Sequence, residues 1–293
     1  MTTIDANDTA IHTRALLVWL QISSWSARKY DKAVTNKVNR DYAASSDAGR
    51  YNKFLFAGDA PSYKHLVQLL GALRTWHYSE TLAWSDEGRR LLPIANFTRY
   101  TDGLRERQAE IDRAVNAFIA DYPALRAQAA IRLNGLYRAE DYPMVSDLRS
   151  KFSISLAYDP VPTVGDIRVN LSADQIAAVE ANVLARASSS VDTAMRDAWE
   201  RLHTVVSHVA IKLADPSAIF RDSLIENVRE CCDVLQRLNV TNDGNLESMR
   251  ANVLQQISSM APQTLRDSKH ARQQTADKAK AILDQMSAFY AAK

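Results

Sequence analysis

The chain has 293 residues, 46% apolar and 24% charged, close to globular averages; this excludes wholesale disorder and allows a sizeable core. Its 36 basic and 34 acidic residues leave a formal charge of +2, so a role on nucleic acid or membrane has to rest on local clustering. Eight glycines and eight prolines are too few for the turns of an all-β sandwich or barrel, and they leave room for long helices.

Residues 1–12 are polar and acidic and are expected to form a mobile tail. They lack the basic segment and apolar core of a signal peptide, and Ala15–Leu20 is too short to span a bilayer, so a cytoplasmic protein is expected. The run Ala15-Leu-Leu-Val-Trp-Leu-Gln-Ile22 favours a strand near 15–22 through its Val, Trp and Ile content. A helix is expected from about Tyr30 to Ala44, then a loop at Ser45–Gly49. The next helix follows Pro61, with Tyr63, Leu66, Leu70, Leu73 and His77 on one face. Pro93 breaks the chain after Leu91-Leu92. A helix from about Asn96 to Ala120 ends at Tyr122-Pro123, and another runs from Ala124 to about Arg138.

Between Phe152 and Leu171 the pattern becomes alternating. Phe152-Ser-Ile-Ser-Leu-Ala-Tyr158, a turn-rich Asp159–Gly165 and Ile167-Arg-Val-Asn-Leu171 read as a β-hairpin. Ser172 and Gln175 form a capping box. The helix it opens carries Ile176, Val179, Val183, Ala187, Val191, Ala194, Ala198, Leu202, Val205, Val209 and Leu213 at spacings of three and four, suited to coiled-coil-like packing and self-association. Asp215-Pro216 is expected to restart a helix with the stripe Phe220, Leu224, Val228, Cys231 or Cys232, Leu235 and Leu238. A turn at Asn242–Asn245 precedes a helix marked by Leu246, Met249, Val253, Ile257 and Met260. The last helix runs from about Asp267 to Ala292.

The expected fold is therefore mainly α: a long-helix bundle with a small antiparallel β-sheet, made by the hairpin near 152–171 and the strand near 15–22. Its organisation is a tail at 1–12, an N-terminal helical region with one strand at 13–145, and a hairpin plus long helical bundle at 146–293, interlocked.

Reaction chemistry leaves no local signature. No two glycines lie close enough for a phosphate loop, and no Gly-x-Ser-x-Gly elbow occurs. His203 and His208 are five apart, about 140° round a helix, and do not converge on a metal. Adjacent Cys231 and Cys232 close no useful loop and read as small buried side chains of a reducing compartment. Glu226 and Glu230 have Arg221 and Arg229 near enough to neutralise them. No catalytic residue, metal or cofactor is expected.

One segment concentrates charge and rings. Arg28, Lys29, Lys32, Lys37, Arg40, Arg50 and Lys53 face only Asp31, Asp41 and Asp47, with Trp25, Tyr30, Tyr42, Tyr51 and Phe54 interleaved. Cations beside stacking rings are what single-strand nucleic-acid binding uses. The competing reading is an amphipathic helix with buried rings and snorkelling cations.

The order Val18-Trp-Leu-Gln-Ile-Ser-Ser-Trp-Ser-Ala-Arg-Lys29, Phe56-Ala-Gly-Asp-Ala-Pro61, a Leu-rich helix and Phe152-Ser-Ile-Ser-Leu156 resembles a phage and prophage protein family known as domain of unknown function 3150, over about residues 14–260. The resemblance implies a location in the cytoplasm of a bacterial host. It also implies partners among MoxR-like AAA+ ATPases and von Willebrand factor A-type proteins, and it transfers no functional residue. The leading expectation is a non-enzymatic helical adaptor or scaffold acting through protein–protein contacts, with a homo-oligomer as one form. The alternative is single-stranded nucleic-acid binding through Trp25, Arg28, Lys29, Lys32, Lys37, Arg40, Tyr42, Arg50 and Lys53. A third is an enzyme whose site assembles from distant residues.

Overall fold

A computed structural model describes residues 8–56, 60–85, 88–163 and 172–290. In chain order the elements are α1 (Asp8–Arg14), β1 (Ala15–Ser23), β2 (Arg28–Tyr30), α2 (Lys32–Asp41), β3 (Asn52–Phe54), α3 (Pro61–Ser79), β4 (Leu82–Ala83), β5 (Arg90–Pro93), α4 (Ile94–Leu133), α5 (Val145–Leu148), β6 (Ser153–Pro160), α6 (Ala173–Ala214), α7 (Ser223–Leu238), α8 (Gly244–Val253), α9 (Pro262–Asp267) and α10 (Lys269–Tyr290). The fold is mainly α, with a four-stranded sheet in the order β4-β5-β1-β6 and a separate β2–β3 ribbon. No helix among the described residues is long and apolar enough to cross a membrane.

The chain forms two compact units. One gathers Met1–Trp19, Trp76–Thr101 and Ala157–Lys293; the other gathers Leu20–Thr75 and Asp102–Leu156. The elements β1, α3, α4 and β6 each run from one unit into the other.

In the first unit β5 pairs antiparallel with β1, Ala15 opposite Pro93 and Val18 opposite Arg90, and with β4, Leu82 opposite Leu91. The sequence pattern treats Pro93 only as a breaker and misses β4 and β5. Pro93 closes β5, where a missing N–H costs the ladder least. Leu17, Leu82 and Leu91 are buried in one core with Ala198, Leu202, Val206, Ile225, Val228, Leu235, Val253 and Met286.

The expected hairpin is half visible. Its first limb is β6, next to β1 in the sheet, and its second limb at 167–171 lies outside the described residues. The capping box forms as read: the Gln175 N–H donates to Ser172 Oγ at 3.4 Å, and the Ser172 N–H donates to Gln175 Oε1 at 3.0 Å. The fully buried residues of α6 run from Ala194 to Leu213, with none before Ala194. α10 starts beside the end of α6, where Arg272 donates to the carbonyls of Lys212, Leu213 and Ala218 at 3.0, 3.2 and 2.8 Å. It packs back along α6. At 22 and 42 residues the two helices measure about 33 and about 63 Å, so α6 outlasts its neighbour.

Two helix boundaries differ from expectation. Asp215 does not start a helix. Its carboxylate accepts from the Ser217 N–H at 2.8 Å and the Ser217 hydroxyl at 2.7 Å, which closes a turn, and α7 begins only at Ser223. The expected break at Pro123 is absent, and α4 runs unbroken for 40 residues. The buried stripe Ile111, Val115, Phe118, Tyr122, Leu125, Ala129 and Leu133 keeps its phase across the proline. Pro123 lies on the exposed side, so water can satisfy the carbonyl it leaves without a partner.

The second unit is built on an aromatic core. Phe56 meets Trp25, Phe118, Tyr122 and Tyr142 at centroid distances of 5.6, 5.9, 5.9 and 6.0 Å, and Phe118 meets Phe152 at 5.9 Å. The helix expected at 30–44 is the shorter α2. Asp31 caps it, accepting from the Val34 N–H at 3.1 Å. β2 and β3, which flank it, are too short to show alternation in sequence.

Candidate nucleic-acid interface

The basic, ring-rich segment folds entirely within the second unit, as β2, α2 and β3. The two strands pair antiparallel, with Arg28 opposite Phe54, Lys29 opposite Lys53 and Tyr30 opposite Asn52. Opposed residues share a face, so Arg28, Phe54, Tyr30 and Asn52 stand together on one side of the ribbon. That side meets solvent: Phe54 is 54% and Tyr30 37% exposed.

Each ring carries a guanidinium. Arg28 Cζ lies 4.7 Å from the Phe54 centroid, and Arg50 Cζ lies 4.6 Å from that of Tyr30. Both arginines are exposed. On α2, Lys32, Arg40 and Lys37 are exposed and fall within an arc of about 140°. Thr35 and Asn39 turn inward; Thr35 donates to the Asp31 carbonyl at 2.8 Å, and Asn39 donates to the Ser46 carbonyl at 3.2 Å. Lys29 and Tyr42 are exposed, Tyr42 to 82%.

Two residues of the sequence-derived set do not belong to this surface. Lys53 is 3% exposed. Its ammonium lies 3.2 Å from Asp31 and 2.6 Å from Asp141, and it donates to the Leu136 carbonyl at 2.9 Å. Burial opposes its charge, but the Asp141 and Asp31 carboxylates outweigh that and hold its pKa above the ordinary lysine value. Asp31 is held low, first by the Val34 N–H it accepts from, and Lys53 adds to this against the cost of burial. Trp25 is half-buried among Phe56, Tyr63, Phe118 and Tyr122, and its carbonyl accepts from the Tyr63 hydroxyl at 3.0 Å.

Six of the seven cations of this segment therefore remain on the surface, with Asp41 and Asp47 the exposed acids among them; Asp31 is spent on Lys53. Sequence reading grouped these residues but not the guanidinium-over-ring pairs, because Arg50 reaches Tyr30 only when β3 folds back on β2. It also missed Arg132, which donates to the carbonyls of Phe54 at 2.7 Å and Leu55 at 3.2 Å and anchors the end of β3. No local signal marks that arginine.

Other polar clusters are committed to structure. In the first unit a cleft of about 440 Å³ is lined by Tyr78, Arg90, Arg196, Asp197, Glu200 and Arg201 among others. Asp197 accepts from the Ala83 N–H at 2.8 Å, from Arg90 at 3.2 Å and from Arg201 at 2.9 Å. The two guanidiniums also hold the carbonyls of Tyr78 and Thr81, so they close the end of α3 while sharing the one Asp197 carboxylate. Arg229 donates to the Ser258 carbonyl rather than to the nearby glutamates. Burial pushes the Cys231 and Cys232 thiols up to about 11 and about 12, away from thiolate chemistry. Among the described residues no group of three or more His, Cys, Asp or Glu is placed to hold a metal.

Comparisons with known proteins give no relative: no family model, no curated protein and no solved structure matches the chain.

Proposed function

We propose that the solvent face of β2, β3 and α2 binds single-stranded nucleic acid. The observation that carries this reading is the pair of guanidinium-over-ring stacks, Arg28 on Phe54 and Arg50 on Tyr30, on the open face of the ribbon, with Lys32, Lys37 and Arg40 exposed on α2, the helix that joins its strands. Cations neutralise the phosphates, and planar groups hold splayed bases regardless of their identity. A two-stranded ribbon with exposed rings suits an unpaired strand, whose bases are free, better than a duplex, whose bases are stacked inside.

The test is anisotropy of a labelled single strand and of the matching duplex over a salt series. Single strands should bind more tightly, with affinity falling as salt rises. Replacing Lys32, Lys37 and Arg40 together with Ala should flatten that slope by about 0.7 for each phosphate no longer neutralised. No binding at low salt, or equal binding to both forms, sinks the reading.

A second reading rests on α6, whose first half carries Ile176, Val179, Val183, Ala187 and Val191 with no fully buried residue. An apolar stripe of this kind fits a protein partner or a second copy, as in a helical adaptor. The family resemblance supplies candidates, a MoxR-like AAA+ ATPase or a von Willebrand A-type protein in the cytoplasm of a bacterial host. Val183→Asp should then release a partner recovered with the native chain, and equal recovery with both would count against it.

A further inference from the structure

We propose that Arg28 and Arg50 contact the bases of the bound strand as stacking planes, while the phosphates fall to Lys32, Lys37 and Arg40. This rests on the nucleic-acid reading of the ribbon and says which groups of the strand each residue takes. A guanidinium over a ring has one side covered by that ring and its other side free. The two arginines are exposed, so that free side meets solvent. An incoming base can lie on it and build a ring–guanidinium–base sandwich, in which the ring orients the arginine before the strand arrives.

The alternative is that both arginines only neutralise phosphate, and then the rings beneath them would be irrelevant. Two features favour the base. Arg28 and both supporting rings stand on one face of the ribbon, Arg28 and Tyr30 two residues apart on β2, and Arg50 reaches Tyr30 from just before β3. That spacing is about 7 Å, roughly twice the rise per nucleotide of a stacked strand, so each station has room for a base of its own. Meanwhile Lys32, Lys37 and Arg40 carry no ring of their own and stand exposed on α2, where a backbone leaving the ribbon over that helix would pass. Lysine is a point charge suited to phosphate, whereas a planar guanidinium does what lysine cannot.

The ligand class is thus a polyanion with accessible bases, not polyanions in general. The discriminating variant is Arg28→Lys with Arg50→Lys, which keeps both charges and removes both planes. Binding is measured to oligothymidylate and to an abasic phosphodiester strand of equal length. The double variant should lose about ten-fold or more in affinity for oligothymidylate, with an unchanged salt slope, and nothing for the abasic strand. Tyr30→Leu with Phe54→Leu keeps both arginines and removes their supports. It should show the same selective loss, guarding against a fold defect peculiar to the lysine variant. Unchanged affinity in the lysine variant, or equal losses on both strands, overturns the base-stacking assignment and leaves phosphate binding standing. A native chain that binds neither strand overturns this assignment together with the reading it rests on.

Discussion

Lys53 and Arg28 lie on neighbouring strands of one ribbon, and their fates differ by which face they occupy. Arg28 shares the open face with Phe54, while Lys53 is drawn inward to Asp31 and Asp141. A buried ammonium is tolerable only because two carboxylates and a carbonyl receive it. His77 is the opposite case, a buried base kept neutral. Burial, with the Arg90 charge nearby, lowers its pKa to about 4, and its Nδ1 lies 2.8 Å from the Tyr100 hydroxyl. The unfolded histidine titrates near 6.5, so between about 6.5 and about 4 the unfolded chain binds a proton that the folded chain refuses. Stability therefore falls as pH drops through that window, by on the order of 3 kcal/mol in all, and this contribution is flat above it. Urea midpoints from pH 7.5 to 4.5 should show the decline in the native chain. His77→Gln should lose most of that slope, and an identical slope in both would remove His77 as its source.

Among the elements, α2 is short and depends on its ends. Asp31 holds the first turn. At the other end the Ala43 N–H donates to the Arg40 carbonyl at 3.0 Å and the Ala44 N–H to the Asn39 carbonyl at 2.7 Å, the bond pattern of a Schellman stop. The residue that must be left-handed there is Ala43, with φ of 50°. Glycine adopts that conformation without a Cβ penalty, and Ala43 is exposed, so little packing is lost. Ala43→Gly should stabilise the protein by about 1 kcal/mol, read as a higher midpoint in thermal or urea unfolding. A lower midpoint would mean that the unfolded-state entropy of glycine outweighs the relief of strain. α4 shows the reverse balance, where local chemistry argues for a stop at Pro123 and side-chain burial on the opposite face carries the helix through it. α6 takes its start from the Ser172 capping box and its rigidity from only half its length, where α7 and α10 lie against it.

At the scale of the whole molecule, neither unit is a continuous stretch of chain. A fragment ending at residue 156 contains all of the second unit, but it leaves Leu17, Leu82, Trp84 and Leu91 without the side chains of α6–α8 that share their core. It should bind an apolar dye such as ANS strongly and tend to aggregate, whereas the full chain should not. A fragment that is soluble and does not bind the dye would show that the sheet needs no such cover.

The sequence by itself determined what depends on neighbours along the chain: the helical stripes of α3, α6 and α8, the capping box at Ser172, the strand after residue 14, and the cluster of cations and rings between 25 and 54. Those follow from periodicity and from bonds that reach three or four residues. Tertiary structure alone decided that Lys53 and Trp25 go inward while Arg28 and Arg50 stay out, that Pro123 breaks nothing, and that Asp215 closes a turn instead of opening a helix. For Lys53 and Trp25 the deciding groups are far away in sequence, Asp141 and Phe118, whose proximity no local pattern encodes; at Pro123 the buried face of α4 overrides the local break, and at Asp215 the turn bonds to Ser217 two residues on, with Arg272 of α10 holding the carbonyls of Leu213 and Ala218 on either side.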